Sequence, residues 1–321
     1  MWVYLISLVI LQVLFLLLSP FFRQRWPFSL YYQHVFKPFI QDKKNYRWKY
    51  YSIPAFYFAI YIYIVYCYYA KVEPVLNQFL SSFESILVIP SFVVYTPLFG
   101  LMTMLVKPEN TSSQSTSSFN RYKYDNIIYY PGTTCETCHK AKPARSKHCG
   151  ICNRCILLHD HHCIWVNNCI GKGNFAYFFS FLFLNSASLS YAFVRLLHIT
   201  TSHKNIPRSR DILSMTILCG CFSVICTVFT YLQMTQLREG MTTNEVDKWF
   251  TVQEFMREGK LAKSESGDWF FLHSDNNLYS TNAYDQTVYN PHEYQLIHCS
   301  SQIPNLYDKH SFWANLVDFC T

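Results

Sequence analysis

Long apolar runs alternate with short polar segments along most of this 321-residue chain. A run of about 20 apolar residues is long enough for an α-helix to cross the hydrocarbon core of a bilayer. Runs of this kind predict five membrane-spanning helices, at residues 1–22, 51–70, 85–106, 175–197 and 212–234. We therefore predict an α-helical integral membrane protein.

The distribution of lysine and arginine predicts which segments face the cytoplasm, because cytoplasmic loops carry an excess of these residues. Residues 23–50 hold seven Lys/Arg and one acid, and residues 107–174 hold nine and four. Five spans then place the N terminus outside and the tail, residues 235–321, in the cytoplasm. With four spans, the tail would lie on the opposite side of the membrane from the one that five spans predict. The loop between the last two spans contradicts the rule, because it is basic although it is predicted to be external.

Composition agrees with a membrane protein and excludes other classes. Only 15% of the residues are charged, against roughly 25% in an average soluble protein. The net charge of +7 is spread over short loops and forms no single basic face, so we predict no nucleic-acid partner. Of the 13 cysteines, several lie within apolar runs, which does not favour a disulfide framework.

A cysteine- and histidine-rich segment, residues 135–174, lies between the third and fourth spans, after a predicted linker at residues 107–134. Two-residue gaps separate several of its cysteines, and cysteines so paired bind tetrahedral zinc in a reducing compartment. Two zinc ions need about eight ligands in all. Seven cysteines together with His139, His148, His161 and His162 exceed that number, so at least one cysteine is predicted to be free of metal.

Cys163 is the best candidate for the free thiol, because Asp160, His161 and His162 directly precede it. His161 can take the thiol proton or hold the thiolate as an ion pair, and Asp160 can fix the imidazole tautomer. Cys163 also lies close to the predicted fourth span, where a substrate that is part lipid would reach it. An alternative stays open: Cys163 and both histidines are further zinc ligands.

Several short motifs lie within about forty residues of this segment. They are Cys135-Glu-Thr-Cys138, Lys142-Pro143-Ala-Arg145-Ser-Lys-His148-Cys149, Cys152-Asn-Arg-Cys155, Asp160-His-His-Cys163, Trp165 and Asn168-Cys169-Ile170-Gly171-Lys-Gly-Asn174. In these motifs the segment resembles the cysteine-rich domain of the DHHC protein S-acyltransferases, the protein palmitoyltransferases.

The resemblance implies two structural zinc ions and a transferred acyl group. One zinc would bind Cys135, Cys138, His148 and Cys155, and the other Cys149, Cys152, His162 and Cys169. Cys163 would be acylated by palmitoyl-CoA and would pass the palmitoyl group to a substrate cysteine by a ping-pong mechanism, assisted by Asp160 and His161. Four basic residues could contact the CoA phosphates or remain solvated surface charges: Lys142, Arg145, Lys147 and Lys172.

Two segments beyond the fifth span extend the resemblance. Thr242-Thr243-Asn244-Glu245 resembles the TTxE motif of the family, which implies that Thr243 hydrogen-bonds near the catalytic aspartate. Thr242 and Glu245 also have the spacing of a capping box, which predicts a helix with an apolar face formed by Trp249, Val252, Phe255 and Met256. The segment from Tyr307 to Asn315 resembles a C-terminal motif of the family, although His310 replaces a usual glycine.

Features of the whole chain refine what the resemblance implies. An Asp-Pro-Gly motif common in the family is missing after the third span, and five spans differ from the usual four. The N-terminal anchor, the Thr-Thr-Asn-Glu region and the tail resemble one branch of the family. That resemblance implies a multi-pass enzyme of the endoplasmic-reticulum membrane, which acylates cysteines beside the transmembrane helices of membrane-anchored proteins such as SNAREs.

Two other classes of function compete with an acyltransferase. A membrane-anchored zinc adaptor or ubiquitin ligase would also carry cysteine-rich metal sites, but cross-brace domains need longer gaps between ligand pairs, and an adaptor needs no free thiol at Cys163. An inactive acyltransferase scaffold would still bind substrates, and the intact Asp-His-His-Cys sequence argues against it.

Overall fold

A computed structural model describes residues 11–12, 14–41, 47–112, 121–203, 209–274, 276–282, 285, 287–290 and 293–321. The chain divides into two compact units, Met1–Ile53 and Pro54–Thr321. Most of the predicted first span lies outside the described residues. So do parts of the predicted basic loop (42–46), of the linker (113–120) and of the loop between the last two spans (204–208).

The first unit contains short helical segments. Phe28–Tyr31 and Lys37–Gln41 are α-helical, a π-helical turn, Tyr32–Phe36, connects them, and Arg47–Tyr51 is a 3₁₀-helix. Aromatic rings pack inside the unit: the ring centroid of Phe15 lies 5.1 Å from that of Phe28 and 5.4 Å from that of Tyr31.

Four helices in the described part of the chain are long and apolar enough to cross a membrane: Trp48–Phe79, Glu84–Leu105, Phe175–Ser202 and Arg210–Arg238. Their longest α-helical stretches are α1 (Ser52–Cys67), α2 (Ile89–Leu105), α3 (Phe175–Ser202) and α4 (Arg210–Arg238). Shorter turns complete the first two helices: Tyr68–Val72, Glu73–Leu76, Asn77–Phe79 and Glu84–Val88. The predicted helical membrane protein is confirmed, but a count of five spans is not.

Helix α3 packs against both α2 and α4, and a glycine marks each close approach. A Cβ atom on Gly100 of α2 would lie 2.8 Å from the ring of Phe181, and one on Gly220 of α4 would lie 2.8 Å from the ring of Phe193. Small residues allow membrane helices to approach closely enough for van der Waals packing to hold them together. These two glycines therefore help to fix α3 between its neighbours.

The cysteine-rich segment folds into two short antiparallel hairpins. Strand β1 (Lys147–Cys149) pairs with β2 (Arg154–Ile156), and β3 (His161–Cys163) pairs with β4 (Asn168–Ile170). As predicted, the segment lies in the chain between two membrane helices, here α2 and α3.

Two asparagines fasten the second hairpin to the end of α2. The side-chain amide of Asn168 donates to the carbonyl oxygens of Thr103 (2.9 Å) and Val106 (2.8 Å). The amide of Asn174 donates to the carbonyl oxygens of Val106 (3.2 Å) and Cys169 (2.9 Å). The last carbonyls of a helix lack partners within the helix. The asparagines satisfy them and fix the height of the hairpin above the membrane helices.

The C-terminal region is more ordered than the sequence suggests. Helix α5 (Thr243–Arg257) begins with the predicted capping box, which is confirmed, and its predicted apolar face packs on the following sheet. That sheet has the strand order β8-β7-β6-β5-β9 and antiparallel neighbours. Its strands are β5 (Leu261–Ser264), β6 (Trp269–Leu272), β7 (Leu278–Ser280), β8 (Val288–Tyr289) and β9 (Tyr294–Leu296). A 3₁₀ turn, Ser300–Gln302, follows it.

The last helix, α6 (Phe312–Cys320), packs against α3 and α4. Asn315 anchors it, because its side-chain amide donates to the carbonyl oxygen of Arg238 at 3.0 Å. His310, which replaces a usual glycine, has a φ of 57°. Its backbone N–H donates to Asp308 at 2.8 Å, which stabilises a turn in the left-handed region that favours glycine.

Gly240, two residues after the end of α4, provides a test of the packing between this turn and the segment before α6. Its φ is 66°, and a Cβ atom there would lie 2.8 Å from the Cα of Asp308. Gly240→Ala combines backbone strain of about 1–2 kcal/mol with overpacking of about 1–3 kcal/mol. Gly267, with a φ of 93° and no atom within 4 Å of such a Cβ, is the matched control. Unfolding of the purified protein in detergent should show the larger loss of stability for Gly240→Ala. Equal losses would contradict the packing.

Candidate active site

Strand β3 separates three consecutive side chains that the sequence places together. Successive residues of a β-strand point to opposite faces, and residues i and i+2 share a face. His162 therefore points to one side of β3, while His161 and Cys163 point to the other. The register of the hairpin places His162 opposite Cys169. The strand thus turns one histidine toward a cysteine cluster and leaves the other beside Cys163.

Two groups of four metal-ligating side chains are present among the described residues. In each group one atom per residue lies within 4.8 Å of all the others. The first group is Cys135, Cys138, His148 and Cys155, and the second is Cys149, Cys152, His162 and Cys169. Three sulfurs and one imidazole nitrogen are a common ligand set of structural zinc. The structure thus brings together the two predicted sets, and the chemistry of each set fits a zinc ion.

Strand geometry also explains why the two groups interleave. His148 and Cys149 are adjacent on β1 and so point to opposite faces. His148 lies opposite Cys155 in the register of β1 and β2, and both belong to the first group. Cys149 turns to the second group. In each group a backbone N–H also donates to a sulfur at 3.4 Å, from Cys138 to Cys135 and from Cys152 to Cys149. Such bonds stabilise a thiolate.

Two histidines outside the groups have different surroundings. His139, one of the surplus ligands predicted from the sequence, is exposed. His159, which the sequence analysis did not consider, is buried, and its Nε2 lies 3.9 Å from the sulfur of Cys169. An imidazole in this position can donate a weak hydrogen bond to a ligand sulfur. Its position one residue before Asp160 gave no signal of this role.

Cys163 belongs to neither group and lies in an apolar core at the end of the helix bundle. Buried residues of this core come from the cysteine-rich segment, from α3 and from the end of α4, among them Phe178, Phe181 and Leu237. Partly buried side chains of the first two membrane helices, including Tyr57 and Phe99, pack against it. The whole residue Cys163 is only 8% exposed, and its neighbours in this core are apolar side chains of the bundle.

Asp160 connects His161 with the N terminus of α5. Its Oδ2 lies 2.5 Å from Nδ1 of His161 and accepts the hydroxyl of Thr243 at 3.1 Å. Its Oδ1 accepts the backbone N–H of Thr243 at 2.5 Å. The carboxylate thus sits at the partly positive end of a helix, where negative charge is stabilised. The sequence predicted Thr243 near Asp160, and the structure places the two in contact.

Two glutamines near the end of α4 complete the surroundings of Thr243. The amide of Gln233 donates to the threonine hydroxyl at 3.2 Å, and Oε1 of Gln236 lies 2.9 Å from the same oxygen. The single hydroxyl proton of Thr243 therefore has two acceptors, Gln236 and Asp160. Neither glutamine could be predicted from the sequence, because both lie near the polar end of a membrane span and form no recognisable motif.

The electrostatics of His161 favour its charged form. Burial lowers the pKa of its imidazole, but hydrogen bonds with Asp160 and Cys163, together with their charges, outweigh burial and raise the pKa to about 10. The ring of Phe178 packs edge-on against that of His161, with centroids 5.6 Å apart. A protonated imidazole held in this way can stabilise a neighbouring thiolate as an ion pair.

Comparisons with known proteins agree with this geometry. Residues 128–249 match the family model described as DHHC palmitoyltransferase. The chain is 47% identical to Palmitoyltransferase SWF1 of Saccharomyces cerevisiae over 99% of both chains. It is 42% identical to Palmitoyltransferase SWF1 of Candida glabrata over 97% of both. It is also 44% identical to Palmitoyltransferase ZDHHC4 of Bos taurus, over 28% of this chain and 27% of the other.

The predicted family, and with it the predicted class of enzyme, a protein S-palmitoyltransferase, is confirmed by these matches. Identity extends over nearly the whole chain and includes the membrane helices and the C-terminal region as well as the cysteine-rich segment. The chain therefore belongs to the DHHC palmitoyltransferase family.

Proposed function

We propose that the protein transfers palmitoyl from palmitoyl-CoA, through a thioester on Cys163, to cysteines of membrane proteins. The observation that carries this proposal is the position of Cys163: outside both metal-ligand groups, on the same face of β3 as His161, and in the apolar core at the end of the helices. A thiol that has no metal to bind and adjoins a charged imidazole has the surroundings of a nucleophile.

The proposed reaction has two thioester exchanges. In the first, the thiolate of Cys163 attacks the carbonyl carbon of palmitoyl-CoA, and the sulfur–carbon bond to CoA breaks. The CoA thiolate leaves and takes a proton from His161. In the second, a substrate thiol gives its proton to His161, and its sulfur attacks the acyl carbon on Cys163. The sulfur–carbon bond to Cys163 then breaks, and Cys163 leaves as the thiolate. Each step exchanges one thioester for another, so activation and positioning of the thiol are the main requirements.

Asp160 and Thr243 act through His161 in this proposal. Asp160 holds Nδ1 of the imidazole and so leaves Nε2 for the reacting sulfur. Thr243 binds both carboxylate oxygens of Asp160 and limits its rotation. Because neither Asp160 nor Thr243 contacts the acyl group in this scheme, their loss should slow transfer without removing the nucleophile.

The two metal-ligand groups have a structural role in this proposal. Cys135, Cys138, His148 and Cys155 would hold one zinc ion, and Cys149, Cys152, His162 and Cys169 the other. The hairpins have strands of only three residues each, too short to be stable without further support. Zinc bound by these residues would supply that support and fix the position of Cys163 on β3.

The membrane helices offer the acyl chain an apolar environment. Cys163 lies in one core with Phe178 and Phe181 of α3, and Tyr57 of α1 packs against that core. A palmitoyl chain on Cys163 would extend among these side chains and remain out of water, which favours binding by roughly 0.8 kcal/mol per buried CH₂ group. A substrate cysteine close to the membrane surface could reach the same carbon.

The proposed substrates and location follow from the family and from the relatives. We propose membrane-anchored proteins with cysteines beside their transmembrane helices, SNAREs among them, as acyl acceptors. We place the protein in the endoplasmic-reticulum membrane as a multi-pass enzyme with its cysteine-rich domain in the cytoplasm. Two basic segments support that orientation: residues 23–50, before the second predicted span, and residues 107–174, after the third.

The identity of the nucleophile can be tested by labelling. Purified protein incubated with radiolabelled palmitoyl-CoA should acquire hydroxylamine-sensitive label, and Cys163→Ser should abolish it because serine offers no thiolate. Cys299→Ser is the matched control, since Cys299 is an exposed cysteine of the C-terminal region, and it should retain full labelling. Unchanged labelling of Cys163→Ser would remove Cys163 as the nucleophile.

Metal analysis tests which cysteines bind zinc and whether Cys163 is free to react. Elemental analysis of the purified protein should find about two zinc ions per chain, because each ion takes four ligands. Cys163→Ser should keep both ions, whereas Cys152→Ser should lower the content. A loss of zinc in Cys163→Ser would favour the alternative in which Cys163 is a ligand.

The assisting residues can be tested by the rate of self-acylation. Asp160→Asn and His161→Ala should each lower the rate constant by roughly 10²–10⁴-fold, the usual contribution of general acid–base groups. His139→Asn changes an exposed histidine of the same segment and should leave the rate unchanged. Each rate constant is measured from a time course of single-turnover labelling in which the reaction is quenched at successive times. Full activity in His161→Ala would contradict its proposed role.

A further inference from the structure

Arg145 is a completely buried cation that has no part in the reaction described so far. The sequence suggested contact with phosphate or with solvent, but its side chain is 0% exposed. Its Nε donates to Oε1 of Glu245 at 2.7 Å, and its Nη2 donates to Oε2 of Glu245 at 2.6 Å and to the carbonyl oxygen of Gly240 at 2.8 Å. Arg145 itself has a φ of 63°.

Aromatic rings and a second carboxylate enclose the guanidinium. Its carbon lies 4.5 Å from the ring centroid of Tyr307, 4.8 Å from that of Tyr122 and 5.3 Å from that of Phe319. Nη1 lies 3.8 Å from Oδ2 of Asp318. These partners belong to separate segments of the chain, before the cysteine-rich segment and at the C terminus. The ion pair therefore joins parts that are distant in sequence.

A buried ion pair is weak evidence of a role in stability, because desolvation offsets much of the attraction. Apolar residues of similar volume often stabilise a protein as well or better. The pair fixes the relative orientation of the two side chains, because a guanidinium and a carboxylate joined by two parallel hydrogen bonds have a defined geometry. Because Glu245 lies in the first turn of α5, the pair orients the N terminus of that helix.

Glu245 lies in the first turn of α5 and also caps that helix. Its Oε2 accepts the backbone N–H of Thr242 at 2.8 Å, and its own N–H donates to the hydroxyl of Thr242 at 3.3 Å. Thr243, which holds Asp160, lies between these two capping residues. The carboxylate of Glu245 is therefore bonded directly to the backbone segment that contacts Asp160.

The charge of Glu245 also bears on Asp160. Both carboxylates lie at the N terminus of α5, where each competes for the same partial positive charge. Arg145 contacts Glu245 through two hydrogen bonds and neutralises its charge. The partial positive charge of the helix end is thereby left to the carboxylate of Asp160.

We propose that Arg145 and Glu245 form a positioning pair for acyl transfer. The pair holds the N terminus of α5 so that the N–H and hydroxyl of Thr243 bind Asp160, which in turn orients His161. The two residues act through Asp160 and touch neither the acyl group nor the thiol. This inference rests on the proposed function, because the reaction that it concerns is the self-acylation of Cys163.

A double-mutant cycle on the rate distinguishes positioning from a general structural role. Glu245→Gln preserves the capping box, which accepts glutamine, and removes the charge that meets Arg145. In the wild-type background it should lower the self-acylation rate constant at least about tenfold, since small misplacements near a reacting group have large effects on rate. The palmitoyl-CoA concentration for half-maximal rate and the zinc content should not change.

The same substitution in an Asp160→Asn background is the decisive measurement. If Glu245 acts through Asp160, Glu245→Gln should cause no further decrease there, because residues that act as one unit are not additive. An equal fold-decrease in both backgrounds, or no decrease in the wild-type background, would overturn the proposal. Absence of label in the unmodified protein would instead overturn the proposed function.

Controls separate the effect of position from that of the substitution. Glu258→Gln makes the same change at the other end of α5, where Glu258 forms an exposed pair with Lys260, and should leave the rate within twofold. If Glu245→Gln does not fold, as judged by zinc content and size-exclusion chromatography, Arg145→Lys replaces it in the same cycle. Lysine keeps the charge but lacks the two-point geometry, so the same non-additivity is expected.

Discussion

Successive side chains of a β-strand point in opposite directions, and the candidate active site of this protein depends on that constraint. Over three residues of β3 it directs His162 to a metal-ligand group and His161 and Cys163 to the other side. The same alternation on β1 sends His148 and Cys149 to different groups. A helix in the same place would spread these side chains around its circumference and could not separate them in this way.

The position of the hairpin relative to the membrane helices depends on a second set of contacts. Asn168 lies opposite Cys163 in the strand register and bonds the free carbonyls at the end of α2. Asn174 does the same one residue before α3 begins. Cys163 is therefore tied at once to the metal-ligand groups and to the ends of two membrane helices. In the proposed reaction, a thiol at this position would meet both the acyl chain in the bilayer and a substrate cysteine at its surface.

Contacts from the C-terminal region also reach this site. The N terminus of α5 holds Asp160, the capping residue Glu245 binds Arg145, and rings from the C terminus enclose that arginine. The C-terminal region thus contributes to the candidate active site, although Thr243 lies 80 residues after Cys163 in the chain. The sheet from β5 to β9 supports α5 through the core that contains Trp249, Val252 and Leu261.

Much of the fold and of the site could be predicted because local signals are strong. Apolar runs indicate membrane helices at any position, and cysteine spacing limits which residues can share a metal ion. The capping box of α5 was also predicted, since its signal occupies four consecutive residues. The five-stranded sheet was missed, because its strands have only two to four residues each and contribute little periodicity. Gln233, Gln236 and His159 were missed because single polar residues carry no pattern.

The sequence by itself determined the class of protein, the supply of metal ligands and the surplus of thiols, since these depend on residue types and on spacing along the chain. Only the tertiary structure decided that Arg145 is a buried partner of Glu245 and not a surface cation, because its partners lie about one hundred residues away. It likewise decided that Gln233 and Gln236 contact Thr243. Contacts between distant segments depend on how helices and strands pack, and no local spacing records that packing.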